Sequence, residues 1–279
     1  MVYFAYDASV NGDWVSRYAL RMAAQRPSGE LRLLYVDEGR ISKKEAGHNI
    51  AYIQKECDRL SVRLTIEVCP AGTGVFSTLD SLIPRGRDVF LVCGARAKET
   101  GRGWLGGTVG QRFLTRGGRQ VLALRVVQPG LLGVPRHLLV PVPEHISSFR
   151  AGLPILKLLA PDLTHIDLLH VERVTSTRLR RLTNAQSAGL RQAGVGLCNE
   201  VELEMKEALH PHEVLIDNHV VVSDDVAKEI LIHAGKFKSR LVFMGASERS
   251  LARRLVSASQ LERVLHDAPC DVALYRGVP

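Results

Sequence analysis

The sequence predicts an α/β fold class: two tandem doubly wound domains, each a five-stranded parallel sheet in the order 3-2-1-4-5 with helices on both faces. Three observations predict it. First, Cys69 to Val126 reappears without a gap as Val220 to Gly277. Leu91-Val92-Cys93-Gly94-Ala95 thus lies over Val242-Phe243-Met244-Gly245-Ala246, and Gly107-Thr108 over Ala258-Ser259. Such self-similarity marks a duplicated structural unit. Second, the opening of each half repeats too: Val2 to Tyr6 falls over Leu138 to Val142, and Leu34-Tyr35-Val36 over Leu169-His170-Val171. Third, the apolar runs are continuous rather than alternating, which marks strands covered on both faces. They are separated by amphipathic stretches, as in a parallel sheet built from βαβ units.

Each half opens with a short strand (Val2 to Tyr6; Leu138 to Val142), then a helix (Asp13 to Gln25; Ser147 to Leu159) and a second strand (Leu31 to Val36; Ile166 to Val171). The third strand is the weakest run in each copy (Leu64 to Val68; His219 to Val222). Helices follow it over Thr73 to Leu82 and Asp224 to His233, with Asp224 as an N-cap candidate because its carboxylate can accept from first-turn amides. The fourth strand (Val89 to Cys93; Leu241 to Met244) stops at a glycine, and a polar loop leads into a further helix and the last strand (Val121 to Val126; Val272 to Tyr275). The second copy carries an insertion after Val171, whose polar stretch from Thr177 to Glu207 reads as helix. The Pro/Gly-bearing stretch Gln128 to Arg136 is the linker, giving domains over residues 1–128 and 136–279.

With 46% hydrophobic residues and a mean hydropathy of +0.01, the chain has the composition of neither a disordered nor a membrane-spanning protein. Met1 to Asp7 carries no basic region before a long apolar run, so a cytoplasmic location is expected. Cys57, Cys69, Cys93, Cys198 and Cys270 form no CxxC pair and read as reduced, mostly buried thiols. A net charge of +8 attracts phosphates in general. Aromatics make up only 5%, without the interleaving with basic residues that base stacking needs, which argues against a nucleic-acid partner. Arg178, Arg180 and Arg181 read as a solvated helix face. His210, His212 and His219 lack helical i, i+4 ligand spacing, so no metal is expected there. Ser9 and Ser77 sit outside any G-x-S-x-G context.

Doubly wound sheets bind ligands beyond the carboxyl ends of their strands, where the strand order reverses. Here that point lies between strands one and four, whose ends carry Asp7 and Gly94. Gly94-Ala95-Arg96-Ala97, nine residues, then Gly107-Thr108 resembles the nucleotide-binding signature of the universal stress protein family, Gly-x2-Gly-x9-Gly-Ser/Thr. A glycine ending a strand lets the backbone approach a ligand closely. Gly107-Thr108 would open a helix whose free amides and dipole favour phosphate oxygens, and Thr108 adds a hydroxyl. Tyr6-Asp7-Ala8-Ser9 resembles the family's strand-one ending, whose aspartate holds the adenosine end of ATP, and Leu34-Tyr35-Val36-Asp37 its strand-two ending, where Val36 would meet adenine.

The resemblance therefore implies a cofactor site of Asp7, Val36, Gly94, Ala97, Gly107 and Thr108 for ATP, with or without Mg2+. Ala97 stands where the family has its second glycine. Arg96, Lys98 and Arg102 lie in the same loop and read as solvated. The second copy departs further, with Pro143 in the aspartate position, Glu248 in the second glycine position and Ala258 in the third. It reads as a fold-preserving partner with a degenerate site, Ser259 serving as a helix cap and Arg249, Arg253 and Arg254 available to pair with Glu248. Also implied is a regulatory, stress-responsive role, at most that of a slow ATPase. The family habit of pairing domains through their last strands applies within the chain and leaves room for a homodimer and for an unknown protein partner. The alternative is an interaction scaffold that uses the same tandem fold without nucleotide.

Overall fold

In the first repeat five apolar segments form parallel strands: β1 (Val2–Tyr6), β2 (Glu30–Asp37), β3 (Arg63–Pro70), β4 (Gly86–Gly94) and β5 (Arg119–Arg125). Their spatial order is β3-β2-β1-β4-β5. The computed structural model describes residues 1–72, 74–95, 108–144, 146–246 and 257–278. By its internal contacts the chain divides into Met1–Val134 with Leu274–Pro279, and Pro135–Ala273. In the second repeat β6 (Arg136–Val142), β7 (Leu163–Arg173), β8 (Leu215–Ser223), β9 (Leu241–Gly245) and β10 (Asp271–Arg276) run in the order β8-β7-β6-β9-β10. Both copies are thus doubly wound sheets of order 3-2-1-4-5.

Helices α1 (Val10–Ala24), α2 (Lys43–Arg59), α3 (Val75–Leu82) and α4 (Val109–Arg116) connect the first five strands. α1 starts three residues before the sequence expectation because Ser9, not a later residue, caps it: its hydroxyl accepts from the Gly12 amide at 3.0 Å. α3 starts at Val75 with Gly74 in the N-cap position at φ 113, and Thr73 lies outside the described residues. The third strand is weak in sequence for a physical reason. β3 is the outermost strand, so Ile66 and Val68 remain 41% and 58% exposed while Leu91 and Val121 on the inner strands are fully buried.

One buried cation ties the lower end of this sheet together. Arg119, 1% exposed at the start of β5, donates to the Asp80 carboxylate at 2.7 Å, to the Ile83 carbonyl at 2.7 Å and to the Pro84 carbonyl at 3.2 Å. A buried guanidinium is tolerated only when its donors are met in this way.

The second repeat carries α5 (Ile146–Arg150), α6 (Leu153–Leu159), α7 (Ser176–Leu179), α8 (Asn184–Leu209), α9 (Val226–Lys236) and α10 (Ser257–Asp267). The single helix expected over Ser147 to Leu159 is two, because Gly152 and Pro154 interrupt it and proline cannot continue a helix from the preceding turn. The insertion is helical as expected, though α8 itself opens at Asn184, where Thr183 and Gln186 make a reciprocal capping box. The cap of α9 is Asp225 and not Asp224: Asp225 Oδ1 accepts from the Lys228 amide at 3.0 Å. Ser259 falls inside α10 rather than capping it. No helix among the described residues is long and apolar enough to cross a membrane.

Candidate functional site

The site is built where β1 meets β4. β1 pairs with β2 on one side and β4 on the other, with Tyr6 opposite Tyr35 and Ala5 opposite Cys93. The carboxyl ends of the three central strands therefore finish together, bringing Asp7, Val36 and Gly94 to one end of the sheet. Val36 is buried, whereas Asp7 is exposed.

The turn from β1 into α1 holds the Asp7 carboxylate in place. Asp7 Oδ1 accepts from the Ser9 amide at 3.0 Å and from the Ser9 hydroxyl at 2.5 Å. Ala8 between them sits at φ 54, a left-handed conformation that costs a non-glycine residue about 1 kcal/mol and marks a turn whose geometry is imposed by its surroundings. Asn49 of α2 donates to the Ala8 carbonyl at 3.4 Å. Thus Asp7 does not cap α1; it orients the residue that does.

Close approach defines the rest of the site. A Cβ on Gly94 would lie 3.1 Å from the side-chain amide of Asn11, so the first turn of α1 reaches over the end of β4. One on Gly110 would lie 2.9 Å from the Gly94 carbonyl oxygen, so α4 starts directly against that strand end. Thr108 caps α4, its hydroxyl accepting from the Gln111 amide at 3.1 Å. The helix dipole thereby places partial positive charge beside the β4 end. Asn11, Gly12 and Gly110 were not read from the sequence, since single glycines and amides near a helix start carry no spacing signal. Ala97 and Gly107, with Arg96, Lys98 and Arg102, lie outside the described residues.

The field at the β1 end is negative. Tyr6 donates its phenol proton to Asp13 Oδ1, and burial first, then this bond, raises the Tyr6 pKa. Burial also raises Asp13, helped by the nearby Asp7 charge. The Cys93 thiol, buried just before Gly94 in β4, is pushed up to about 12 by burial and then by Asp7, so it is a packing residue rather than a nucleophile. Among the described cysteines none is disulfide-bonded, and all but half-exposed Cys69 are buried.

The second repeat differs at the corresponding positions. Pro143 follows β6, with neither carboxylate nor amide donor to offer. Buried His170 on β7 places Nδ1 3.2 Å from the Val142 carbonyl, tying the ends of β6 and β7 to each other. Glu248, Arg249, Arg253 and Arg254 lie outside the described residues, as do the side chains of Ala258 and Ser259.

The model of the universal stress protein family (Usp) matches residues 135–276, half of the chain. The chain belongs to the universal stress protein family. The match falls on the second repeat, and the first repeat is related to the family fold through structures that span both. A universal stress protein from Archaeoglobus fulgidus is 14% identical with a TM-score of 0.56, covering 99% of this chain and 96% of its own. A putative universal stress protein from Pseudomonas aeruginosa is also 14% identical at a TM-score of 0.56, covering 98% and 92%. The cytoplasmic domain of a prokaryotic cation chloride cotransporter is 10% identical at a TM-score of 0.58, covering 99% and 95%. These likenesses establish the tandem fold. Comparison with curated proteins finds no match.

Proposed function

We propose that this universal stress protein is an ATP-binding regulatory protein of the stress response, with one adenine nucleotide held in the first repeat. The observation that carries the reading is the meeting of an oriented carboxylate, Asp7, with a glycine-ended strand and a capped helix start, at the point where strand order reverses. Charge supports a polarity for the ligand. The Asp7 and Asp13 carboxylates repel phosphate and accept from hydroxyls, so the ribose belongs at β1 with Val36 toward the base. The start of α4, with Thr108 as its cap, suits the phosphates and any Mg2+ they carry. Asp7 is committed to the nucleoside in this arrangement, leaving it unavailable to activate water, so bound ATP acts as a signal and hydrolysis is slow. Protein purified without added nucleotide, then denatured, should release adenine nucleotide detectable by mass and absorbance.

A second reading, an interaction scaffold without nucleotide, is favoured by Ala97 in place of the motif's second glycine and by the degenerate second copy. The cytoplasmic domain of a cotransporter uses the same fold. If no adenine nucleotide is released and ATP does not bind on titration, the scaffold reading replaces the first.

A further inference from the structure

The amino-terminal half of the second repeat's sheet carries a side-chain cluster that nucleotide binding does not use. Parallel pairing puts His137 beside His165, Asp167 beside Asp217, and Leu169 beside His219. Paired residues of parallel strands point to the same face, and residues two apart return to it. His137, His165, Asp167, Asp217 and His219 therefore share one face of β6, β7 and β8. The side chains converge. Asp167, 3% exposed, lies at the centre: its Oδ2 is 2.5 Å from His137 Nε2 and its Oδ1 is 2.7 Å from His219 Nε2. His165 Nε2 lies 3.6 Å from Asp167 Oδ1 and 3.1 Å from Asp217 Oδ2.

Three imidazoles surround one buried carboxylate, two of them within hydrogen-bond distance, and all three present the same nitrogen. The donor atoms of His137, His165 and Asp167 lie within 4.8 Å of one another. A tetrahedral Zn2+ with bonds of about 2.0–2.1 Å keeps its donors roughly 3.4 Å apart, between the shortest and longest of these separations. The three imidazole side chains retain 25%, 27% and 30% exposure, which leaves an entry path for an ion. His219 is also held by Phe237, stacked on its ring at 4.3 Å, so its orientation is fixed from the second side.

We propose that His137, His165 and Asp167 bind one divalent transition-metal ion of the zinc class, with His219 holding the Asp167 carboxylate from its other side. The donor set is two imidazole nitrogens and one carboxylate oxygen, a combination that selects such ions over Ca2+ or Mg2+. A neutral imidazole offers its Nε2 lone pair by carrying its proton on Nδ1, so the rings need lose no proton overall. The site lies toward the amino-terminal ends of β6 and β7 within the second repeat, and it does not rest on the nucleotide reading.

The test uses the full chain stripped with a chelator and titrated with Zn2+ by calorimetry, with Co2+ visible absorption as a second reading of four-coordinate geometry. One Zn2+ per chain should bind and raise the unfolding temperature. His165→Ala, which removes the partly exposed ring with the longest contact to Asp167, should weaken binding at least about tenfold. Asp167→Asn should do the same, and His137→Gln serves if either variant fails to fold. His212→Ala should leave binding unchanged. Absence of Zn2+ binding overturns the proposal, as does Zn2+ binding that correctly folded His165→Ala and His137→Gln variants leave intact. The cluster would then be a hydrogen-bond network that neutralises a buried carboxylate.

Discussion

A Cβ on Gly12 would stand 2.5 Å from Oδ1 of Asp7, so α1 begins against the strand-one carboxylate in a space that only glycine leaves open. The same Cβ would lie 3.1 Å from the Tyr6 ring. The contact links a helix residue with no chemistry of its own to the residue assigned to the nucleoside.

Gly12→Ala separates propensity from packing. Alanine is the better helix former by about 1 kcal/mol, which alone would stabilise α1. The added methyl must displace Asp7 from its bonds to Ser9, so the expected outcome is no gain in stability and an ATP affinity reduced at least about tenfold, near 1.4 kcal/mol. Thermal unfolding and nucleotide titration of the variant check both parts. Unchanged affinity would remove Asp7 from the ligand contacts.

Asp80→Ala leaves the Arg119 guanidinium buried with only carbonyl acceptors. Breaking a buried pair by deleting one partner costs about 3–5 kcal/mol, because the surviving charge keeps its desolvation penalty. Urea unfolding should show a loss of that order. A loss under about 1 kcal/mol would mean that the Ile83 and Pro84 carbonyls suffice.

Asp225 gives a pH dependence with a definite sign. The Lys228 amide, then Arg263 at 2.5 Å, hold its carboxyl below the ordinary value of 3.8. A depressed folded pKa means that its stabilising contribution is complete above the unfolded value and is lost as pH falls through the folded one. Asp225→Ala should therefore cost about 1 kcal/mol at pH 7, and the gap between parent and variant should narrow only below the ordinary value. A gap that is as wide in strong acid as at neutrality would show that the cap does not act through its charge.

Fold and site were legible to different degrees. A parallel sheet in each half followed from the repeat and from continuous apolar runs, because residues such as Leu91 and Val242 must be covered on both faces; the order 3-2-1-4-5 was supplied by the doubly wound pattern and not by any residue. Helix starts were less legible, since Ser9, Asp224 and Asp225 are all competent caps and only the local backbone decides which one accepts from the third amide. The break between α5 and α6 was written in Gly152 and Pro154 but outweighed by the apolar periodicity around them. Pairwise closeness was hidden: Gly12 to Asp7, Gly110 to Gly94. The histidine cluster had a signal that helical spacing missed. His165-Ile166-Asp167 and Asp217-Asn218-His219 place their polar residues two apart, which on a strand is one face.

The central claim, one adenine nucleotide per chain held by the first repeat, is tested most directly by equilibrium titration of the full chain with ATP. The account predicts one site, weakened at least about tenfold by Asp7→Ala and by Gly107→Val and unaffected by Ala258→Val. Two equal sites would contradict it, as would a single site that persists undiminished when correctly folded Asp7→Ala and Gly107→Val variants are titrated.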